Sequence, residues 1–321
     1  MAEPNPIVRA PDTGQAAALE LAPPRRLFAM TLMVVSSVQI SFGGLILRTI
    51  EQADSWQINF YRALALVTAV SLLLLVQHGR GAIGHVRKIG RAGLIGGAML
   101  AVAGIAFVQA LTHTTVANTL FTMGAIPFIT AVLARVFLKE SLRRATLLTM
   151  LLAAAGVFAM MAEGIGIGSG YGNAMALVTA ICFASFAVIV RHNRRVDMLP
   201  TILVSAAIIA LVSLAVRLDD LGITLRDLLL CLLWGGLLSG VANWMFIVAS
   251  RHLVAAEVTL FMLLEFSLGP VWVWLFVGEV PSDWTIAGGL LVIAAVALRA
   301  GLELRATGRR RRLRRGRPSP G

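Results

Sequence analysis

The stretch that most constrains this chain is residues 254–279, which read VAAEVTLFMLLEFSLGPVWVWLFVGE. About 24 consecutive residues are predominantly apolar, which is long enough for a helix to cross the ~30 Å hydrocarbon core of a bilayer. One charged residue, Glu265, falls near the middle of this span. A carboxylate there costs at least ~2.5 kcal/mol unless it is neutral, paired or in a wet cavity. The stretch therefore predicts a transmembrane helix with a functional acidic residue.

The same layout occurs earlier in the chain, in residues 114–140, TTVANTLFTMGAIPFITAVLARVFLKE. Both stretches end in a glutamate, and Glu140 and Glu279 lie 139 residues apart (279 − 140 = 139). At the same offset His113 falls on His252. In each case a further apolar span follows. The repeat predicts two copies of one five-helix unit.

Composition places both copies in the membrane. Of the 321 residues 58% are hydrophobic and 14% are charged, and the mean hydropathy is +0.84. These values exclude a soluble domain, and the alternating pattern of an outer-membrane barrel is missing. We therefore predict an all-α membrane protein with ten transmembrane helices. The spans are expected at about 27–47, 56–77, 91–111, 115–138, 144–162, 172–191, 200–217, 228–249, 254–277 and 284–302.

The spans divide the chain into five segments. We expect a disordered cytoplasmic N-terminal tail over 1–26, a first five-helix repeat over 27–163, a Gly-rich linker over 164–171, a second repeat over 172–302 and an Arg-rich cytoplasmic tail over 303–321. The linker contains no phosphate-binding glycine motif, so we interpret it as a flexible hinge. The two cysteines fall inside spans and indicate neither a disulfide nor a metal site.

The distribution of basic residues predicts the orientation. All but four of the 28 basic residues fall on one side of the predicted membrane. Arg48, Arg217 and Arg226 belong to loops on the other side, and Arg62 lies within a span. The positive-inside rule then places both termini in the cytoplasm. Because each copy has an odd number of spans, the second copy is inverted relative to the first, as in many secondary transporters.

The C-terminal tail is a separate charged feature, with seven arginines in residues 309–317. Arginine runs can bind nucleic acid phosphates without sequence preference, but we expect no nucleic acid partner here. A cytoplasmic tail of this kind either contacts anionic lipid, at ~1 kcal/mol per basic residue near the surface, or only fixes the topology. The other expected partners are the lipid bilayer and a small-molecule substrate.

Several local patterns together carry a family resemblance. They are Asn59 to Ala65 early in the second span, Pro127 to Glu140, Gly172 to Ala174 at the start of the sixth span, and Glu265 to Pro281. With the doubled ten-span layout over residues 27–302, the chain resembles the EamA family of the drug/metabolite transporter (DMT) superfamily. The resemblance implies export or exchange of small metabolites, often amino acids or related compounds, without ATP. Two departures are Lys139, where the second copy has glycine, and Phe266, where the first copy has Pro127.

Polar side chains within the spans are the candidate substrate-binding or coupling residues. Besides Glu265 and Arg62 they are Gln39, Gln109, Asn118, Asn243 and Glu257. Each amide either lines a path or bonds across a helix interface, at ~0.6–2 kcal/mol. On the ninth span Glu257, Glu265 and Trp272 share one helix face, so Trp272 joins the candidates as an aromatic wall. Serine and threonine are set aside, because they can bond to their own helix.

Glu265 is the strongest candidate among these residues. The position equivalent to it in the first copy is Ile126, so the scaffold itself does not require a carboxylate. Glu265 either exchanges a proton during transport or binds a substrate amine. Arg62 either extends toward the outer surface or meets a carboxylate, which is the substrate's or that of Glu265.

Prolines and glycines in the spans predict backbone features. Pro127 and Pro270 each free a backbone carbonyl and predict helix kinks, with the carbonyl either a bend or a substrate ligand. Gly236 and Gly240, four residues apart, are typical of closely packed helices.

The function class follows from these features. We expect a secondary transporter for efflux of a small polar metabolite across the cytoplasmic membrane, with no cofactor and no metal. A non-transporting sensor or assembly protein is the alternative, although the sequence lacks a sizeable soluble domain. An intramembrane enzyme is a weaker alternative, because H-E-x-x-H and G-x-S-x-G motifs are absent and the histidines lie near span ends.

Overall fold

The fold was examined in a computed structural model, which describes residues 23–113, 119, 122–140, 144–160, 170–278, 283–284, 286–288, 290–298 and 301–302. These residues are predominantly helical, and no strand occurs among them. Residues 1–22, the C-terminal tail from residue 303, most of the Gly-rich linker, Asn118 and Glu279 lie outside the described residues. The expectation of a disordered tail through residue 26 is wrong for its last four residues, because α1 begins at Pro23 and Arg26 is held by Glu257.

The helices of the first copy are α1 (Pro23–Ile40), α2 (Phe42–Thr49), α3 (Ser55–His78), α4 (Ala82–Lys88), α5 (Gly90–His113), α6 (Ile126–Leu138) and α7 (Arg144–Met160). The second copy contains α8 (Gly170–His192), α9 (Leu199–Val216), α10 (Leu225–Leu232), a π-helical segment (Leu233–Ser239), α11 (Gly240–Ser250), α12 (Ala255–Val277) and α13 (Ile286–Leu298). Helices α1 and α2 form one span with a break at Ser41, and α10, the π segment and α11 form another.

Among the described residues, seven helices are long and apolar enough to cross a membrane. They are Arg25–Thr49, Ser55–His78, Gly90–His113, Gly170–His192, Leu199–Val216, Leu225–Ser250 and Ala255–Phe276. Three shorter apolar helices are Thr122–Leu138, Arg144–Gly156 and Ile286–Leu298. The prediction of an all-helical membrane protein is therefore confirmed, whereas the count of ten spans stays a prediction.

Helix packing follows the repeat. Helix α1 packs against α11 and α12, and its equivalent in the second copy, α8, packs against α5 and α6. Helices α3 and α9, which are equivalent, pack against each other, as do α6 and α12. The 139-residue offset relates the α1–α11 and α1–α12 contacts to the α8–α5 and α8–α6 contacts. It relates the α3–α9 contact and the α6–α12 contact each to itself. This is the pattern expected of two copies related by an approximate twofold axis.

The C-terminal ends of α6 and α12 also match. The residue after each helix, Lys139 and Gly278, has left-handed backbone geometry, with φ of 54° and 81°. These two residues are again 139 positions apart. Only glycine adopts this geometry without a steric penalty, so Lys139 holds it at a cost of roughly 1 kcal/mol.

Helix α3 and the π segment cross closely at three glycines. A Cβ atom added to Gly235 would lie 2.0 Å from the carbonyl oxygen of Arg62. At Gly236 the nearest atom, the carbonyl oxygen of Ala65, is 3.6 Å away, and at Gly240 the nearest is the Cβ of Ala69 at 3.0 Å. Close packing is therefore present where the glycine spacing predicted it, but the tightest contact is at Gly235.

The N-terminal end of α3 is fixed by a capping box. The Asp54 carboxylate accepts the backbone N–H groups of Trp56 and Gln57, and the Gln57 side chain accepts the N–H of Asp54. Asp54 also pairs with Arg217. Burial raises the pKa of the Asp54 carboxyl, but these hydrogen bonds and the guanidinium outweigh burial and bring the pKa below its ordinary value. The cap thus joins the first copy to the loop after α9.

Candidate functional site

Arg62 lies over the face of an aromatic ring. Its guanidinium carbon is 4.4 Å from the centroid of Trp234, which belongs to the π segment. The indole ring of Trp234 packs in turn against Gly43, where an added Cβ would lie 2.7 Å from Nε1. On the α5 side Gly104 lies beside the guanidinium. A cation–π contact of this kind holds the arginine while leaving its N–H groups available.

Arg62 and Glu265 lie within electrostatic range of each other but form no direct ion pair. Within the described part of the chain, neither the Arg62 guanidinium nor the Glu265 carboxylate has a hydrogen-bond partner, although the two charges interact electrostatically. Protein surrounds both groups, yet both side chains keep partial accessibility. The structure thus places two opposite charges of membrane-spanning helices within electrostatic range of each other, and we call these residues and their immediate surroundings the Arg62–Glu265 pocket.

The break between α1 and α2 contacts α12 on both sides of Glu265. The Ser37 hydroxyl donates to the carbonyl of Phe261 at 2.9 Å, one turn before Glu265. The Trp272 Nε1–H donates to Ser41 Oγ at 2.7 Å, and its indole stacks on Phe42 with centroids 4.3 Å apart. These contacts fix the polar face of α12, so that Glu265 lies between two anchored turns.

The amide candidates have different environments. Gln39 donates from Nε2 to the carbonyls of Leu237 and Leu238, at 2.9 and 3.3 Å, and so ties α1 to the π segment. Asn243 donates to Ser239 of its own helix at 2.8 Å. Gln109 is buried within α5. π-Helical turns are frequent at functional sites, and here the turn carries Trp234 beneath Arg62.

Glu257 lies at a distance from the pocket. Its buried carboxylate accepts two hydrogen bonds from Arg26, at 2.5 and 2.6 Å, and one from the Thr146 hydroxyl at 3.0 Å. Eight residues separate Glu257 from Glu265, which is about 12 Å along the helix. The shared helix face predicted from the sequence is therefore divided between the Arg62–Glu265 pocket and an ion pair at the helix end.

Comparison with known families agrees with the repeat. The model of the EamA-like transporter family matches residues 27–162 and again residues 170–300. The chain belongs to the EamA-like transporter family. The resemblance predicted from the sequence is thus confirmed, and the membrane-transporter class of the drug/metabolite type comes with it.

Solved structures share the fold of this EamA-like chain, and one of them is a crystal structure that aligns over most of both chains. The two agree with a TM-score of 0.70 at 17% identity, over 87% of this chain and 99% of the other. A search of curated proteins returned no significant match. The structural likeness concerns the fold alone.

The structure of this family member adds residues that the sequence had not marked. Asp227, 1% exposed, accepts the backbone N–H groups of Glu51, Gln52 and Ala53 at 3.0–3.3 Å. This carboxylate fixes the loop between α2 and α3, and Cys231 follows it one turn later beside Trp234. Thr224, three residues before Asp227, caps the N-terminal end of α10. This N-cap pattern is the sequence signal that could have marked Asp227.

The two prolines differ in their surroundings. Helix α6 begins after a break at Ala125, and Pro127 lies in its first turn. In contrast, α12 is helical through residue 270, and the side chain of Pro270 lies outside the described residues. The searched residues contain no group of three or more His, Cys, Asp or Glu side chains that could hold a metal ion.

Proposed function

We propose that this protein is a secondary transporter that exports a small polar metabolite, an amino acid or a related compound, across the cytoplasmic membrane by alternating access and without ATP. The observation that carries the proposal is the Arg62–Glu265 pocket, in which two opposite charges lie inside membrane-spanning helices and neither has a hydrogen-bond or ion-pair partner among the described residues. Charges in such a position are expensive, and they mark substrate or ion pathways in membrane proteins.

The pocket suits a ligand that carries both a carboxylate and an amine. The planar guanidinium of Arg62 can bind a carboxylate through two parallel hydrogen bonds. The Glu265 carboxylate either accepts hydrogen bonds from the ammonium group or takes up a proton, because a low-dielectric environment disfavours an unpaired carboxylate. Trp234 lies beneath Arg62, Trp272 lies on the same face of α12 as Glu265, and both indoles can contact apolar parts of the ligand.

The mechanism includes a ten-span topology of two inverted repeats, with both termini in the cytoplasm. Reporter fusions after Arg91, Arg144 and Arg195 should then report cytoplasm, and fusions after Asp54 and Asp220 should report the outside. A C-terminal fusion that reported the outside would remove the inverted-repeat mechanism.

A flux assay tests the proposal. Purified protein in liposomes should move at least one compound from a panel of amino acids and related metabolites faster than protein-free vesicles. Arg62→Gln should abolish this flux, because the carboxylate of the substrate loses the guanidinium that binds it. The variant should still insert and fold. Arg226→Gln is the matched control, since Arg226 is an exposed arginine paired with Glu51 outside the pocket. Unchanged flux in Arg62→Gln would refute the assigned role of the pocket.

A further inference from the structure

A buried ion pair joins three helices at one end of the molecule. Arg26 lies near the start of α1, Glu257 in the first turn of α12 and Thr146 in the first turn of α7. Glu257 and Thr146 are 1% and 0% exposed, and Glu257 accepts hydrogen bonds from both other residues. We call this set the Arg26–Glu257–Thr146 cluster.

The cluster lies in line with the Arg62–Glu265 pocket. Glu257, Phe261 and Glu265 follow one another at four-residue steps on α12, so they occupy one helix face. Phe261, between the two carboxylates, is fully buried, and its carbonyl is held by Ser37. Along α12, Phe261 therefore lies between Glu265 of the pocket and Glu257 of the cluster, and its ring separates the two sites.

The scaffold does not require a charge pair at this position. Subtracting or adding 139 residues places Asn118 at the position of Glu257 and Thr285 at that of Thr146. The repeat-equivalent positions of Glu257 and Thr146 thus contain no ionisable residue. Burying two charges carries a large desolvation penalty, and a well-packed apolar contact of the same volume is often as stable. A costly pair kept at only one end of a symmetric scaffold indicates a role in function.

We propose that the Arg26–Glu257–Thr146 cluster is the gate between the pocket and the cytoplasm, closed in this structure and opened once in each transport cycle. The inference rests on the proposed function, because a gate has a purpose only on a transport path. Closure joins α1 and α7 of the first copy to α12 of the second, so opening separates the two copies at this end. A charge pair suits this step, since water that enters the opening gate can solvate both separated groups.

Hydrogen–deuterium exchange of the purified full-length protein measures gate opening without any need for a substrate. In Arg26→Gln and in Glu257→Gln, backbone amides of residues 25–31, 144–150 and 255–261 should exchange at least about tenfold faster than in the wild type, because helix ends open more often once their joint contact is broken. Peptides at the opposite ends of the same helices should keep the wild-type rate. Faster exchange across the whole chain would indicate general destabilisation and would overturn the gate.

A matched control and a milder variant make the test decisive. Arg251→Gln removes another guanidinium from the same end of the molecule, where Arg251 pairs with Asp197, and should leave the three gate peptides unchanged. Thr146→Val removes one hydrogen bond at nearly constant volume and should give a smaller increase in the same peptides. This variant decides the matter if the charge variants do not fold.

Failure of the gate can be distinguished from failure of the transport proposal. Faster exchange at the gate peptides in a protein that moves no compound would contradict the transport proposal and overturn the gate, and would leave the cluster as a contact that only holds this end of the molecule together. Normal exchange in all gate variants, in a protein whose wild type transports a metabolite, would overturn the gate and leave the transport proposal standing.

Discussion

Replacing Gly235 by alanine tests the helix crossing that positions Arg62. The added Cβ would lie 2.0 Å from the Arg62 carbonyl oxygen, 2.7 Å from its carbonyl carbon and 2.8 Å from its Cα. The shortest of these distances is roughly 1.5 Å less than the ~3.5 Å at which non-bonded heavy atoms pack. All three atoms belong to the backbone of a helix, so none can rotate away. Overpacking typically costs 1–3 kcal/mol, and we expect about 3 kcal/mol here.

The assay is thermal unfolding of the purified protein followed by flux in liposomes. A loss of about 3 kcal/mol should lower the apparent Tm by at least about 5 °C. Flux should fall in the surviving folded fraction, because α3 must shift and the Arg62 guanidinium moves with it. Gly236→Ala is the neighbouring control, since its added Cβ would make an ordinary contact at 3.6 Å. Equal Tm changes in the two variants would refute the crossing as described.

Two further predictions concern local backbone and electrostatics. Lys139→Gly should raise the unfolding free energy by roughly 1 kcal/mol and Gly278→Ala should lower it by a similar amount, because both positions have left-handed geometry; Tm changes of the same sign in both variants would contradict this. Asp54, whose pKa is lowered by its cap and by Arg217, adds stability that is present above the unfolded pKa of 3.8 and is lost as the pH falls through the folded pKa. Asp54→Asn should therefore flatten the decline in Tm below about pH 4, while Asp219→Asn, an exposed control, should keep the wild-type profile.

The repeat was predictable because the sequence itself gives the length of each apolar segment and the spacing between matching residues. The 139-residue offset that aligned Glu140 with Glu279 also relates α1 to α8 and α6 to α12 in the structure. Membrane length was harder to establish for the short helices. The expected start of the fourth span at residue 115 lies outside the described residues, which contain the apolar helix Thr122–Leu138, so this start stays a prediction.

The candidate site was predictable only in part, because sequence spacing gives the face of a helix but not the partner across it. The offset and the isolation of the charge pointed to Glu265, and nothing in the sequence brought Trp234 beneath Arg62. That contact depends on a π-helical turn and on Gly43, neither of which has a recognisable pattern in one sequence. For the same reason Glu257 was grouped with Glu265, although its partner is Arg26.

Serine side chains show a second limit of sequence reasoning. Their ability to bond to their own helix led us to set them aside. In the structure Ser36 and Ser37 donate across helix interfaces, to Ala242 and Phe261, and Ser41 accepts from Trp272. A hydroxyl has both options in every helix, so the choice depends on the neighbouring backbone and is decided only by packing.

The most direct test of the central claim is gradient-driven transport by Glu265→Gln in liposomes, measured beside substrate binding. If Glu265 exchanges protons, the variant should lose pH-driven accumulation and keep substrate affinity; if it binds an amine, affinity itself should fall. Glu51→Gln, an exposed glutamate outside the pocket, should behave as the wild type does in both measurements. Wild-type binding together with wild-type gradient-driven flux in Glu265→Gln would contradict the assignment of a transport role to the Arg62–Glu265 pocket.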